Sequence, residues 1–414
     1  MSSTKEKHST ATNMDGAGPS TIGPLSGYVI LDLTRALAGP HAGMMMGDLG
    51  AKVIKIESVD VGDDTRGWGP PFVGPEENPQ ATYFLSCNRN KLSLSLNLKD
   101  QEHKAKLVEL IKNSDVLMEN FRAGVLDRLG FSVQVLHELN PRLVIMSITG
   151  FGHDGPEAHR SGYDQILQGE AGLMSITGSG PEDPQKVGVP IADLLSGMYG
   201  AYGVLAALLE REKTGLGQVV RTSLLASIIG VHAFQGTRAT VAGQNPQAIG
   251  NHHPSIAPYG LYACKDSKIQ ISIGSQKLWQ NFATTFNLPA DDPRFVDNQS
   301  RVANRPALNL LIEQGFAQYN AEDLLRILDD AGIPSGKVRS IEEVYEWEQV
   351  KSQGLIVEVE HEVLGKINLP GPPLRFFDPA TNKETTRTAH AAPPVLNSDA
   401  DEIEQWLLSR KEGR

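Results

Sequence analysis

The sequence predicts an α/β protein: a large domain built on a parallel sheet with helices on both faces, and a second, smaller domain. Three observations predict it. From Tyr28 onward, short apolar runs alternate with helical patterns, the signature of parallel strands joined by crossover helices. "KLSLSLNL" alternates strictly through Leu92, Leu94, Leu96 and Leu98, the period of a half-buried strand. A second group of strand and helices follows the Gly- and Pro-dense stretch "AGQNPQAIGNHHPSIAPYG". The 414 residues suit two domains.

In chain order, "YVILDLT" reads as a buried strand and "RALAGPHAGMMMGDLGA" as a helix of small residues. "KVIKIES" is the next strand, followed by "KLSLSLNL" and then a helix with Leu107, Leu110 and Ile111 on one face. "DVLMENF" and "RLVIMSITGF" are further strands. Helical patterns follow near 222–236 and 277–287, with the strand "KIQISIGS", then two helices near 306–318 and 321–331. "LIVEVEHEVLGKINLPGPPLRF" reads as a hairpin and "DADEIEQWLL" as a last helix. The expected organisation is a disordered tail at 1–24, a large domain at 25–224, a small domain at 225–340 and a segment at 341–414 that returns to the large domain.

A net charge of −11 leaves no footprint for nucleic acid or an anionic membrane. Cys87 and Cys264 are the only cysteines, and they form neither a metal spacing nor a disulfide framework. A soluble, reducing, cytoplasmic setting is therefore expected. A mitochondrial matrix setting is the alternative, although the tail lacks the Arg-rich character of a targeting peptide. No apolar run is expected to reach the length of a membrane span; 188–209 comes nearest.

That segment, "GVPIADLLSGMYGAYGVLAALLERE", places one carboxylate, Asp193, ahead of an uncharged run that lasts until Glu210. Gly197, Gly200 and Gly203 recur at every third position. Asp193 reads either as a helix N-cap or as a nucleophile kept ionised by the helix end. The glycine face admits a second backbone or a thin ligand arm. No G-x-G-x-x-G, phosphate-binding G-x-x-x-x-G-K-[ST], H-E-x-x-H or G-x-S-x-G pattern occurs, and no metal site is expected.

Several segments together resemble the class III CoA-transferase family, that of formyl-CoA and carnitine CoA-transferases. They include "GYVILDLTRALAGPHAGMMMGDLGAKVIKIE", "GDDTRGWGPPF", "CNRNKLSLSLNLKD", "VLMENFRAGVLDRLG", "GYDQILQGEAGLMSITG" and "ADLLSGMYGAYGVLAALLERE". "LTRALAGP" and "HHPSIAPYG" are similar to its succinate–hydroxymethylglutarate branch. The resemblance implies a Rossmann-like large domain, an interlocked ring-like homodimer, and Asp193 as the catalytic aspartate. It implies transfer of CoA from an acyl-CoA donor, succinyl-CoA, to a short dicarboxylic acid such as glutarate, hydroxymethylglutarate or itaconate. An aspartyl anhydride and an aspartyl-CoA thioester would be the intermediates. CoA enters as substrate and no permanently bound cofactor is expected.

By the same resemblance, Ala36, Leu37, Leu96, Lys99, Asn120, Phe121, Arg128 and Tyr163 form the CoA-binding set. Ser58 departs from the basic residue that some members carry after "IE". For the acceptor acid, Arg35 and His253 are the candidate substrate-binding residues, with His252 an ordinary loop residue. A glycine run found in formyl-CoA transferases is absent, which argues against oxalate. Two other functions remain open: an α-methylacyl-CoA racemase, and a non-catalytic CoA-binding protein. Racemases of this fold carry a "GHD"-like pair, whereas this chain reads "GYD" at Gly162–Asp164, and tyrosine is a poor base near neutral pH.

Overall fold

A computed structural model describes residues 23–412. Apart from Gly23 and Pro24, the tail expected at 1–24 lies outside the described residues. The chain divides into two compact units. The first comprises residues up to Thr149, Ser196–Thr222 and the chain from Leu355; the second comprises Gly150–Leu195 and Ser223–Gly354.

The first unit is built on six strands: β1 (Val29–Asp32), β2 (Lys52–Glu57), β3 (Lys91–Ser95), β4 (Val116–Glu119), β5 (Val144–Thr149) and β6 (Val219–Ser223). Their order across the sheet is β3-β2-β1-β4-β5-β6, and the pairs β2–β3, β1–β2, β1–β4 and β4–β5 are parallel. This is the doubly wound order, in which the chain reverses direction between β1 and β4. The strands form because their apolar runs are buried by helices. Leu31, Ile54, Leu94, Leu117 and Ile145 share one core with Leu107, Leu110 and Ile111 of helix Gln101–Lys112. Ile403 and Leu407 of the final helix, Ala400–Glu412, join the same core. The antiparallel hairpin Ile356–His361 and Gly365–Pro370 packs Val359 and Leu369 on Leu85.

Helix α1 (Ala38–Asp48) follows β1, and helix α2 (Ile191–Thr214) runs across the division between the units. Within the first unit the glycine face of α2 has a packing purpose. A Cβ on Gly197 would stand 2.5 Å from the Ala38 carbonyl oxygen, and one on Gly200 would stand 2.6 Å from Met146 Sδ. One on Gly203 would meet Val220 Cγ1 at 2.5 Å. The Ala38 backbone and the side chains of Met146 and Val220, not a ligand arm, occupy that face. The expectation about membrane-spanning length is corrected: α2, at 24 residues, is long and apolar enough by length and composition. The uncharged run ends at Leu209, whereas the helix continues through Glu210 to Thr214.

The second unit carries a three-stranded antiparallel sheet, ordered Ser335–Lys337, Lys268–Ser272, Tyr259–Ala263. Trp279, Phe282 and Phe316, from helices Gln276–Thr285 and Arg305–Phe316, pack with Tyr262, Ile269 and Ile271. Residues 150–195, expected within 25–224, fall in this unit, as do 341–354. Backbone hydrogen bonds explain the first assignment: Leu225 donates to Gly150, Ala248 to Ser175 and Gly250 to Gly178, at 2.9–3.1 Å.

Candidate active site

In the first unit, the turn from β1 into α1 lies at the switch point of the sheet, where ligands of doubly wound folds bind. Side chains hold this turn where no strand ladder reaches it. Thr34 N–H donates to Asp32 Oδ1 at 3.0 Å, and the Thr34 carbonyl accepts from Lys55 Nζ at 2.9 Å. Asn120, just after β4, accepts from Arg35 N–H at 2.9 Å and donates to the Arg35 carbonyl at 2.7 Å. Ala36 N–H donates to Asp63 Oδ1 at 3.2 Å. Ala36 sits at φ 65°, a left-handed conformation that a residue with a Cβ adopts only when its surroundings impose it. Beneath the turn are buried ion pairs, Lys55–Asp63 and Lys91–Asp32, each at 2.8 Å with fully buried side chains.

The structure thus brings Arg35, Ala36, Asn120 and Phe121 together. The exposed Arg35 guanidinium lies 3.5 Å from the Asp64 carboxylate and 5.8 Å from the Phe121 ring centroid. Both ends of the Asn120 amide are engaged by the Arg35 backbone, so this side chain holds the turn. Leu96 is 3% exposed and packs its side chain in the sheet core. Leu37 is likewise buried, at the start of α1. Lys99 is exposed in the loop after β3. Arg128 is exposed at the end of the short helix Val125–Arg128, which begins after Gly124 at φ 77°.

Tyr163, Asp164, Asp193 and His253 belong to the second unit. Asp193 is the third residue of α2, not its cap. The capping carboxylate comes from Asp164, whose Oδ1 accepts from Ala192 N–H at 2.8 Å. Asp164 Oδ2 accepts from Gln168 Nε2 at 2.8 Å, and Gln168 Oε1 accepts from Val187 N–H at 2.8 Å. Asp193 itself is partly buried and has neither a hydrogen bond nor a cationic partner among the described residues. Burial, and then the charge of Asp164, push its carboxyl up to about 7. Burial and the like charge of Asp164 thus oppose the ionisation that a helix start favours. Tyr163 precedes helix Asp164–Glu170 and is 64% exposed.

His253 is stacked on Phe234, with ring centroids 5.4 Å apart, and tilted against Tyr259 at 5.1 Å. Its Nδ1 accepts from Ser255 N–H at 3.1 Å, which places the proton of the neutral ring on Nε2. Burial, then the nearby Arg305, hold its pKa below the usual histidine range. It can offer a neutral donor, not a cation. His252 contacts Asn309 Nδ2 through Nε2 at 3.2 Å and packs edge-on against Tyr262.

Lys55 and Asp63 are functional candidates that the sequence reading missed. A signal was present: Lys55 interrupts "KVIKIE", an apolar strand that a parallel sheet buries on both faces, and a buried lysine needs a partner. Among the described residues, no group of three or more His, Cys, Asp or Glu side chains is placed to hold a metal ion.

Comparison with known proteins identifies the family. The sequence profile of CoA-transferase family III matches residues 25–400. The succinyl-CoA:glutarate CoA-transferase of Mus musculus is 38% identical over 394 residues, covering 93% of this chain and 89% of that protein. The acetyl-CoA:oxalate CoA-transferase of Acetobacter aceti is 37% identical over 359 residues, covering 86% and 89% respectively. The crystal structure of a CAIB/BAIF family protein from Brucella suis superposes with a TM-score of 0.81 at 37% identity, covering 93% of this chain and 99% of that one. With its doubly wound sheet, its side-chain-held turn after β1 and a profile match along nearly its whole length, this chain belongs to CoA-transferase family III.

Proposed function

We propose that this enzyme moves CoA from succinyl-CoA to a short dicarboxylic acid, glutarate foremost, with Asp193 as the acyl-accepting group. The observation that carries the proposal is the partly buried carboxylate of Asp193 in the first turn of α2, without a hydrogen-bonding or cationic partner among the described residues. An acid without a cationic partner keeps its electron pair available once ionised. The mouse relative's name supports succinyl-CoA and glutarate.

Asp193 attacks the thioester carbon, the C–S bond breaks, and CoA thiolate leaves behind a mixed anhydride. The thiolate attacks the aspartyl carbonyl, the anhydride C–O bond breaks, and the donor acid departs from an aspartyl-CoA thioester. The acceptor carboxylate then attacks that thioester, and the released thiolate attacks the acceptor's own carbonyl, restoring Asp193. No net proton, metal or nucleotide is consumed. Arg128 and Lys99 supply local positive charge for CoA phosphates on a chain whose net charge is −11. The turn at Ala36 and Leu37 and the ring of Phe121 complete the CoA-binding set. An interlocked homodimer and a reducing, cytoplasmic location belong to the same reading; the free thiols of Cys87 and Cys264 support the latter.

The Acetobacter relative's name favours oxalate as a second acceptor, against the absent glycine run. Incubation with succinyl-CoA followed by intact-mass measurement tests the mechanism. A CoA-sized covalent adduct is expected in the wild type and not in Asp193→Asn. Absence of both adduct and transfer in the wild type refutes it. A steady-state screen of glutarate, hydroxymethylglutarate, itaconate and oxalate decides the acceptor.

A further inference from the structure

We propose that Lys55 and Asp63 are positioning residues that hold the Thr34–Ala36 turn in the conformation that seats acyl-CoA. This rests on the reading of Ala36 and Leu37 as CoA contacts. Lys55 Nζ reaches the Thr34 carbonyl at 2.9 Å while pairing with Asp63 Oδ2 at 2.8 Å, and it is fully buried. The other Asp63 oxygen accepts from Ala36 N–H, from Thr65 N–H at 3.0 Å and from Thr65 Oγ1 at 2.8 Å. One ion pair therefore fixes the backbone on either side of Arg35, while Asn120 fixes Arg35 itself.

Two physical considerations point to positioning as the purpose. A buried ion pair seldom contributes more stability than a well-packed apolar pair would, so its place here calls for another benefit. The turn it grips contains a non-glycine residue at φ 65°, which relaxes toward ordinary backbone angles once its anchors are lost. The pair also sits on the carboxyl side of β2, directly beside β1 at the switch point.

The structure supplies a reporter independent of CoA. Cys87 Sγ lies 3.9 Å from the Ala36 carbonyl and is 1% exposed, so a thiol reagent reaches it only when the turn opens. In a Cys264→Ser background, Lys55→Met/Asp63→Leu removes both charges and every acceptor for Ala36 N–H. Lys55→Met/Asp63→Asn removes the charges and keeps an acceptor. The leucine variant is expected to bind acyl-CoA at least tenfold more weakly and to label at Cys87 at least tenfold faster. The asparagine variant, which keeps the Ala36 anchor but loses the Lys55 grip on Thr34, should show a smaller but resolved part of both losses.

Equal loss in the leucine and asparagine variants, or acyl-CoA binding by the leucine variant as tight as that of a competent parent, would overturn the positioning role alone. A parent protein that bound no acyl-CoA would overturn the underlying CoA reading together with it. If the leucine variant does not fold, the asparagine variant carries the test, since its Thr34 carbonyl has lost Lys55. Unchanged Cys87 labelling there overturns the proposal.

Discussion

Asp164 caps the helix that carries Asp193, its Oδ1 accepting the amide of Ala192 at 2.8 Å. Two acids therefore share one helix start, and they divide the work. Asp164 satisfies an orphan amide and is tied to Gln168 through its other oxygen. Asp193, one residue beyond the capped amide, is left partly buried and without a partner among the described residues. The capping interaction that the sequence suggested for Asp193 belongs to Asp164.

Asp193→Ala and Asp193→Asn are expected to lower kcat by about four orders of magnitude or more, the scale of losing a covalent nucleophile. Circular dichroism and CoA affinity should stay near wild type. Turnover within tenfold of wild type by either variant would remove Asp193 from its role.

The same carboxyl sets a pH dependence. With its pKa pushed up to about 7, kcat/KM for acyl-CoA should fall about tenfold per pH unit below that value, as the nucleophile is protonated. Asp164→Asn keeps the capping oxygen and removes the neighbouring charge, so the inflection should move to lower pH. The stability effect has a definite sign. The folded pKa lies above the unfolded value of 3.8, so the folded state holds an extra proton between the two and loses that advantage as pH rises through about 7. Asp193→Asn should match the wild type near pH 4 and exceed it at pH 8, by up to about 4 kcal/mol in urea unfolding. A wild-type profile flat from pH 5.5 to 8.5 would contradict the assignment.

The glycine face of α2 predicts a graded cost. A Cβ at Gly197 meets backbone, the Ala38 carbonyl oxygen at 2.5 Å, whereas one at Gly203 meets the Val220 side chain. Gly197→Ala should destabilise by about 1–3 kcal/mol, and Gly203→Ala by less, because a side chain yields more readily than backbone. Urea unfolding of the two variants measures the difference.

The strands of the doubly wound sheet were legible where apolar runs are long and buried on both faces, as in "YVILDLT", "KVIKIES" and "RLVIMSITGF". Strand β6 was not, because "VVRTS" is short and carries Arg221; Tyr259–Ala263 was hidden by Gly260 and its Pro-rich approach. Asp193 stood out through its isolation in sequence and through the family pattern. Its raised pKa did not, because the burial and the Asp164 charge that cause it come from the folded chain, Asp164 standing 29 residues earlier. The grip of Lys55 and Asp63 on Thr34 and Ala36 was equally invisible, since it joins residues 21 and 27 positions apart. Local pattern encodes strands and helices; it does not encode which charged side chains the sheet brings to one turn.

Arg128→Ala should raise KM for acyl-CoA about tenfold with kcat little changed, because a contact remote from the reacting carbon exists in ground and transition states alike. Its exposed position at the end of Val125–Arg128 suits a phosphate or adenine contact without a structural penalty for removal. A steep fall in kcat at constant KM would refute the ligand-holding role.

The acceptor acid needs a group for its distal carboxylate, and the structure separates the two candidates by charge. His253 is held neutral by burial and by Arg305, with Nδ1 already accepting from Ser255, so it offers at most one neutral donor. Arg35 is permanently charged and exposed, and its present neighbour Asp64 lies at 3.5 Å with half of its side chain in solvent, a weak competitor for an incoming carboxylate. A charge-assisted hydrogen bond contributes about 1.5–3 kcal/mol, roughly ten- to a hundredfold in specificity. Wild-type enzyme should therefore prefer glutarate to butyrate by that factor in kcat/KM. Arg35→Gln should erase most of the preference and leave butyrate turnover nearly unchanged, whereas His253→Gln should keep most of it. Equal kcat/KM for glutarate and butyrate in the wild type would refute recognition of a distal carboxylate, and a preference untouched by Arg35→Gln would remove Arg35 from it.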